Sequence, residues 1–191
     1  MLTPKFFQDN GYIVIPKMLN GDLLKFIGIH AYNIARINGV RLKPDGTIDD
    51  EQVPNTPSFY DDFVMANLHD FLLPKMEQYT GLKLYPTYTY FRVYKKGDVL
   101  EKHKDRPSCE ISVSLCLRRK QEEHIWPIFI KNEDYKSKRN LQNSYTARAM
   151  LEEGDGLIYR GCECAHWRDE FKEGTKLAQV FLHYVDADGP H

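Results

Sequence analysis

Three residues in the second half of the chain have the types and the spacing to bind one metal ion. His103 and Asp105 lie two residues apart after a run rich in Tyr, Phe and Val, and His166 follows much later. Residues i and i+2 of a β-strand share a face, so an imidazole and a carboxylate at this spacing can bind the same cation. Two histidines and one carboxylate form a facial triad that binds Fe(II) and leaves coordination positions open. Similar ligand sets also bind zinc, so these residues alone leave the metal open.

The segments around these residues have the pattern of strands joined by turns. Residues 84–94 and 98–105 are separated by a Lys-Lys-Gly-Asp turn, and a Gly-Asp-Gly turn at 154–156 precedes another short apolar run. His166 lies in the next such segment, 164–169, and Lys176 begins the apolar segment 176–185. Gly-Asp dipeptides between runs of period two indicate hairpins, so a sheet is predicted to position the three ligands.

In this order of motifs the chain resembles the 2-oxoglutarate/Fe(II)-dependent dioxygenases, and within them the prolyl-4-hydroxylase-like branch. The resemblance runs from about Phe6 to about Tyr184. It implies that His103, Asp105 and His166 are the iron ligands and the catalytic centre. The carboxylate of Asp105 argues against the halogenase variant of this chemistry, in which a small residue leaves room for a halide.

The resemblance also implies a cationic partner for the distal carboxylate of 2-oxoglutarate. Lys176 lies ten residues after His166, which is the family's spacing. Arg168 is a rival, because it lies two residues after His166 and should share its face. A guanidinium binds a carboxylate in bidentate fashion, whereas an ammonium acts as a point charge. We favour Lys176 and leave a contribution from Arg168 open.

Two further candidates for binding the co-substrate lie on the strand before the turn. Tyr94 is nine residues before His103, where the family often has a tyrosine that contacts 2-oxoglutarate. Arg92 should share a face with Tyr94, Tyr90 and Tyr88 by the period of two. A face of three tyrosines and one arginine suits a pocket for an anion, and the competing interpretation is a half-exposed strand with cross-strand aromatic pairs.

The function implied by the resemblance is hydroxylation of a C–H bond, with release of succinate and CO2. The implied cofactors are Fe(II), 2-oxoglutarate and O2, with ascorbate as a stimulant. The substrate is a small molecule or a peptide, such as a prolyl residue or an amino-acid-like compound. The alternatives are a non-catalytic metal-binding jelly-roll module or pseudoenzyme, and a zinc hydrolase with the same ligands. The cation after His166 and the Tyr/Arg strand favour the oxygenase.

The predicted fold is an α+β domain in which helices come first and strands second. Helices are expected from Pro4 to Gly11, after Asn20, and from Tyr60 to Tyr79 with a break or kink at Pro74. A helical part of about 1–81 then precedes a jelly-roll core, a double-stranded β-helix of about eight strands, at about 82–186. The whole chain, 1–191, is expected to be one domain. Further predictions are a strand at 12–15, a surface loop at 38–58, a mobile loop at 131–144 near the pocket, and strands at 84–94, 98–105, 109–117, 125–130, 145–151, 156–160, 164–169 and 176–185.

Composition excludes several classes of partner. The 191 residues carry a net charge of −1, so no nucleic-acid partner is indicated. The first residues lack a signal-peptide pattern, and no apolar run approaches the ~18 residues of a membrane span. The protein is therefore expected to be cytoplasmic, without membrane contact and with reduced thiols at its four cysteines, Cys109, Cys116, Cys162 and Cys164. The sequence does not indicate an oligomeric state.

Overall fold

The computed structural model describes residues 4–38, 52–120, 124–139 and 144–191. The helices are α1 Pro4–Asn10, α2 Gly21–Asn38, α3 Phe63–Thr80 and α4 Glu133–Lys138, and a single 3-10 turn covers Pro107–Cys109. The strands are β1 Tyr12–Ile15, β2 Ser58–Tyr60, β3 Leu84–Lys95, β4 Leu100–His103, β5 Ile111–Lys120, β6 Ile128–Lys131, β7 Thr146–Ala149, β8 Gly156–Arg160, β9 Ala165–Arg168 and β10 Lys176–Asp186.

The strands form two antiparallel sheets, which confirms the predicted α+β jelly roll with N-terminal helices. The major sheet has the order β1-β8-β5-β10-β3-β2, and the minor sheet has the order β4-β9-β6-β7. All eight strands predicted after residue 82 are present, seven of them with shifted ends and β8 with the predicted ones. The described residues contain ten strands because β1 and β2, from the helical half of the chain, pair with β8 and β3.

The alternation of residues along β5 shows how one sheet separates two apolar layers. Val113 and Leu115 pack with residues of α2 and α3. Cys116 lies in the other cluster, between the two sheets, and the buried Ser112 and Ser114 share its side. Small polar side chains therefore face the space between the sheets, as their period of two predicts. In the described ranges, no helix is long and apolar enough to cross a membrane.

Helix α3 begins later than predicted and runs through its proline. The Asp62 side chain accepts hydrogen bonds from the backbone N–H groups of Val64 and Met65, so the helix begins at Phe63 rather than Tyr60. Pro74 removes one intrahelical hydrogen bond but lies on the exposed face, where water can bind the freed carbonyl group. The helix therefore continues to Thr80, so of the predicted break or kink at Pro74 the break does not occur.

Two predicted loops have a different outcome. The expected mobile loop at 131–144 contains α4, whose residue Asp134 forms an ion pair with Lys104, next to the metal-ligand candidates. Residues 140–143 lie outside the described ranges, as do residues 39–51 of the expected loop at 38–58. The four cysteines are free thiols, as expected.

Candidate metal centre

The structure brings His103, Asp105 and His166 together at one end of the minor sheet. Strands β4 and β9 pair so that His103 lies directly opposite His166. Asp105 differs from the prediction, because β4 ends at His103 and Asp105 lies in the following loop. The loop is held by a hydrogen bond from the Asp105 amide to the Gly161 carbonyl group, 3.0 Å long. A backbone contact with the β8–β9 connection, rather than strand alternation, therefore positions the carboxylate.

The distances among the three side chains suit one cation. The Oδ1 atom of Asp105 lies 3.6 Å from Nε2 of His103 and 3.6 Å from Nε2 of His166. Two ligand atoms that each lie about 2.1 Å from one metal ion are at most about 4.2 Å apart. The ligand atoms of all three side chains lie within 4.8 Å of one another, so small side-chain rotations bring them to one ion.

Hydrogen bonds orient both imidazoles toward the centre. Nδ1 of His103 lies 2.8 Å from the carbonyl oxygen of Glu101, and Nδ1 of His166 lies 3.0 Å from that of Cys164. A carbonyl oxygen only accepts, so Nδ1 carries the proton in each ring and Nε2 keeps its lone pair. Backbone carbonyl groups commonly set the tautomer of metal-binding histidines in this way.

The protonation states of the buried ligands also suit a metal ion. Burial raises the pKa of Asp105, but the neighbouring imidazoles of His103, His166 and His183 outweigh burial and lower it below its ordinary value. Burial lowers the pKa of His166 despite the attraction of Asp105. At neutral pH the carboxylate is therefore ionised and the imidazole neutral, which are the forms that bind metals.

One carboxylate oxygen of the triad has no hydrogen-bond partner among the residues that the structure describes. Oδ2 of Asp105 is buried and accepts no hydrogen bond from the described residues. A buried charged oxygen without a donor is costly unless a cation compensates it. The two Nε2 atoms and the Asp105 carboxylate therefore form a donor set that fits a divalent cation.

The three residues line a cavity of about 470 Å³ between the two sheets. This volume is within the range of small-molecule sites. Its aromatic wall comes from Tyr60, Tyr88, Tyr90 and Phe181. The predicted face of β3 is thus part of the cavity, where Phe181 of β10 lies opposite Tyr90 with ring centroids 6.0 Å apart.

Arg92 is the guanidinium that lines this cavity. Its side chain is buried, and its Nη atoms donate to the Tyr94 hydroxyl at 3.1 Å, the Tyr90 hydroxyl at 2.9 Å and Gln52 Oε1 at 3.2 Å. Tyr94 lies behind it, fully buried. Of the two sequence candidates on β3, the structure therefore places Arg92 on the cavity wall and Tyr94 directly behind it.

Arg168 lies deeper, beneath Tyr94. Its guanidinium carbon lies 6.0 Å from the Tyr94 ring and 4.7 Å from the Trp126 ring. It donates to the Trp126 carbonyl oxygen and, at 3.4 Å, to Gln179 Oε1. No carboxylate of the described residues pairs with it, and its Nε has no partner there. Burial lowers the pKa of Arg168, although the group remains charged because it starts from a very high value.

Lys176 does not line the cavity either. Its side chain is exposed, and its backbone carbonyl oxygen lies 3.3 Å from the Tyr32 hydroxyl of α2. Along β10, Leu177 packs between the sheets, whereas Ala178 packs on the helix side. Lys176 and Ala178 are two residues apart and share a face, so Lys176 lies on the helix side of β10. The ten-residue spacing after His166 therefore selects a residue that faces away from the cavity.

Three cavity residues next to the triad, Tyr159, Cys109 and His183, were not predicted as functional. The Tyr159 ring packs on His166 with centroids 4.6 Å apart, and Cys109 and His183 lie beside Asp105. His183 is hydrogen-bonded to Ser112 and lies on the cavity wall. Side chains alternate along β10, so His183 and Phe181 share a face. This alternation is the one feature of the sequence that could have indicated that His183 lies on the cavity wall.

Gly161 leaves the space that the Asp105 carboxylate occupies. A methyl group there would lie 2.9 Å from Asp105 Cβ, and closer still to Asp105 Oδ2 and the Cys109 carbonyl oxygen. We expect Gly161→Ala to displace the carboxylate, to cost about 1–3 kcal/mol of stability by overpacking, and to weaken Fe(II) binding about tenfold or more. Urea unfolding and Fe(II) titration measure the two effects.

Gly97→Ala is the matched control for this substitution. Gly97 has a φ of +91° and no neighbouring heavy atom near an added Cβ. The control should therefore lose stability through backbone strain alone and keep its iron affinity. Equal iron affinity in both variants would contradict the assigned role of Gly161.

Several solved structures share this fold. The non-heme α-ketoglutarate-dependent carbocyclase SnoK from nogalamycin biosynthesis matches with a TM-score of 0.74 at 11% identity, over 97% of this chain and 83% of that chain. A Pseudomonas putida prolyl-4-hydroxylase matches with a TM-score of 0.68 at 14% identity, over 96% and 98%. HygX from Streptomyces hygroscopicus, solved with nickel and 2-oxoglutarate, matches with a TM-score of 0.66 at 14% identity, over 96% and 86%.

At these identities the likeness is one of fold. No protein-family model matches the chain, and no curated protein matches its sequence. The shared architecture is that of non-heme 2-oxoglutarate-dependent oxygenases, which confirms the resemblance drawn from the sequence motifs at the level of the fold.

Proposed function

We propose that this chain is an Fe(II)- and 2-oxoglutarate-dependent dioxygenase that hydroxylates a C–H bond. The observation that carries the proposal is the meeting of His103, Asp105 and His166 in a cavity that also contains a buried arginine. The Nε2 atoms of His103 and His166 and the Oδ1 atom of Asp105 fit Fe(II), and a guanidinium on the cavity wall fits a dicarboxylate co-substrate. The SnoK, prolyl-4-hydroxylase and HygX structures support the same class.

In this chemistry the residues of the protein would position the metal ion and the co-substrate and shield them from water. Bound Fe(II) would supply the activation of O2, at the expense of 2-oxoglutarate, which leaves as succinate and CO2. His103, Asp105 and His166 would hold the metal ion, and a set of three protein ligands would leave coordination positions for other ligands. Tyr159 packs against His166 and keeps water from that face of the ring. Ascorbate is expected to stimulate turnover, as the resemblance implies.

The distal carboxylate of 2-oxoglutarate is assigned to Arg92. This guanidinium lines the cavity with the triad, and the Tyr90 and Tyr94 hydroxyls hold it in place. Arg168 lies behind Tyr94 and adds a second positive charge to the same wall. Lys176, which the family spacing favours, lies outside the cavity and is not needed for this arrangement.

The mouth of the cavity constrains the substrate. Lys104 at the rim pairs with Asp134, whereas Arg106 is exposed there and its guanidinium lies 4.7 Å from the Tyr88 ring. Aromatic walls bind an apolar ring, and a cationic rim binds a negative group. A prolyl residue or an amino-acid-like molecule that carries a carboxylate has both features, and it is the substrate class we propose.

An absorption measurement tests the proposal. Anaerobic addition of Fe(II) and then 2-oxoglutarate to the full chain should produce a weak visible charge-transfer band, because the keto acid chelates the iron. Exposure to O2 should then yield succinate slowly, even without a substrate. Replacement of Fe(II) by zinc is the control and should give neither signal. If iron binds but neither the band nor succinate appears, the chain is a metal-binding jelly-roll module rather than an oxygenase.

A further inference from the structure

A second group of metal-binding side chains lies beside the triad and shares one residue with it. Potential ligand atoms of Asp105, Cys109 and His183 all lie within 4.8 Å of one another. Cys109 and His183 are 2% and 5% exposed, and all three residues line the cavity. Thiolate, imidazole and carboxylate are the three ligand types of zinc sites.

The carboxylate has a donor atom left for this second group. Oδ1 of Asp105 faces the two triad histidines, at 3.6 Å from each Nε2. Oδ2 is buried and has no hydrogen-bond partner among the described residues. A carboxylate can thus bridge two neighbouring cations, one through each oxygen.

Local hydrogen bonds also free the imidazole of His183 for a metal. Nδ1 of His183 lies 2.8 Å from Oγ of Ser112, and this hydroxyl donates to the Cys109 carbonyl oxygen at 3.1 Å. A hydroxyl has one proton, so Ser112 accepts from His183 and Nδ1 carries the ring proton. The lone pair of Nε2 then remains for a cation, in the same tautomer as the two triad histidines.

The thiol of Cys109 has a donor that would support its metal-bound form. The Tyr88 hydroxyl lies 2.9 Å from Cys109 Sγ, and Arg106 lies over the Tyr88 ring. A hydroxyl that donates to the sulfur stabilises a thiolate. A zinc ion would displace the thiol proton to solvent on binding, with no change of oxidation state.

We propose that Asp105, Cys109 and His183 form a second cation site, selective for zinc, next to the iron site. Its thiol ligand distinguishes it from the triad, because soft ligands favour zinc over hard cations such as Mg²⁺. A zinc ion there occupies the cavity wall beside Tyr88 and draws charge from the shared carboxylate. Zinc should therefore inhibit the enzyme without displacing iron. The inhibition rests on the proposed function, but the metal binding does not.

Cobalt(II) titration of the full chain tests the site directly, since cobalt replaces zinc and reports thiolate ligands by an intense near-ultraviolet band. The wild-type protein should show this band, and Zn²⁺ should abolish it. Cys109→Ser should lose the band and the second equivalent of bound metal. His183→Ala should weaken cobalt binding at the thiolate site by about tenfold or more. Cys162→Ser is the matched control, because Cys162 is partly exposed and lies outside the group, and it should keep the band.

The outcomes separate this inference from the proposed function. The thiolate band should persist in His103→Ala, which removes a triad ligand only, whether or not the triad binds iron. In iron-loaded protein, Zn²⁺ should reduce succinate formation, and Cys109→Ser should lose that sensitivity relative to its own zinc-free rate. A wild-type protein without the band, or a band that survives Cys109→Ser, would overturn the second site.

Discussion

Replacement of His103 by alanine is expected to abolish Fe(II)-dependent succinate formation and to weaken Fe(II) binding by at least about 100-fold. Loss of an outer partner of a metal ligand commonly costs 10- to 100-fold in affinity, so loss of a ligand should cost at least as much. His103 is the best triad residue for this test because it is partly exposed at the end of β4. Truncation there leaves little internal space, and the fold should survive.

Iron stoichiometry of the purified chain and its thermal unfolding curve measure the two quantities together. His124→Ala is the matched control: His124 is exposed, pairs with Glu173 at 2.8 Å, and lies outside the cavity that contains the triad. Asp105→Ala and His166→Ala should repeat the loss of iron, with a larger loss of stability at the buried His166. Full iron occupancy in His103→Ala with a native unfolding curve would refute the triad.

Arg92→Met is expected to raise the apparent 2-oxoglutarate constant by about tenfold to over a hundredfold, with little effect on iron. The substitution removes charge-assisted hydrogen bonds of roughly 1.5–3 kcal/mol and keeps most of the side-chain volume. Arg92 is in place for this role, because the Tyr90 and Tyr94 hydroxyls hold its guanidinium at 2.9 Å and 3.1 Å on the cavity wall. Titration of 2-oxoglutarate into anaerobic, iron-loaded protein measures the constant.

Two further substitutions separate the three candidate anchors. Lys176→Ala should leave 2-oxoglutarate binding unchanged, since Lys176 is exposed on the other side of β10. Arg168→Met should have a smaller effect than Arg92→Met, because Tyr94 separates Arg168 from the cavity and the lost charge acts at longer range. A large effect of Lys176→Ala with none at Arg92 would show that the family spacing, rather than the cavity, identifies the anchor.

The side-chain alternation of single strands could be predicted from the sequence, because it is a local property. A period of two places Tyr88, Tyr90, Arg92 and Tyr94 on one face, and the structure shows three of them on the cavity wall with Tyr94 directly behind. The same period separates Ser112 and Ser114 from Val113 and Leu115. Turn residues likewise marked the strands, so the jelly roll followed from local patterns alone.

The edges of the sheet needed the tertiary structure. Strands β1 and β2 are short and far from their partners in the chain, and only their pairing with β8 and β3 makes them part of the major sheet. A proline predicts a broken helix, but the exposure of Pro74 decided that α3 continues. Intrinsic propensity describes the backbone conformation that a residue prefers in isolation. Burial and strand pairing decide which conformation the residue adopts in the folded protein.

The sequence by itself determined the three candidate metal ligands, whereas the tertiary structure decided what surrounds them. The number of residues between two positions does not specify which face of a later strand points to the cavity. Lys176 has the expected spacing of ten residues from His166, but it lies on the side of β10 away from the cavity. The same limit concealed Cys109 and His183, which come from a 3-10 turn and a strand that meet only in the folded sandwich. Residue types carry the chemistry, but the register between strands and the contacts of loops decide which of them share a cavity.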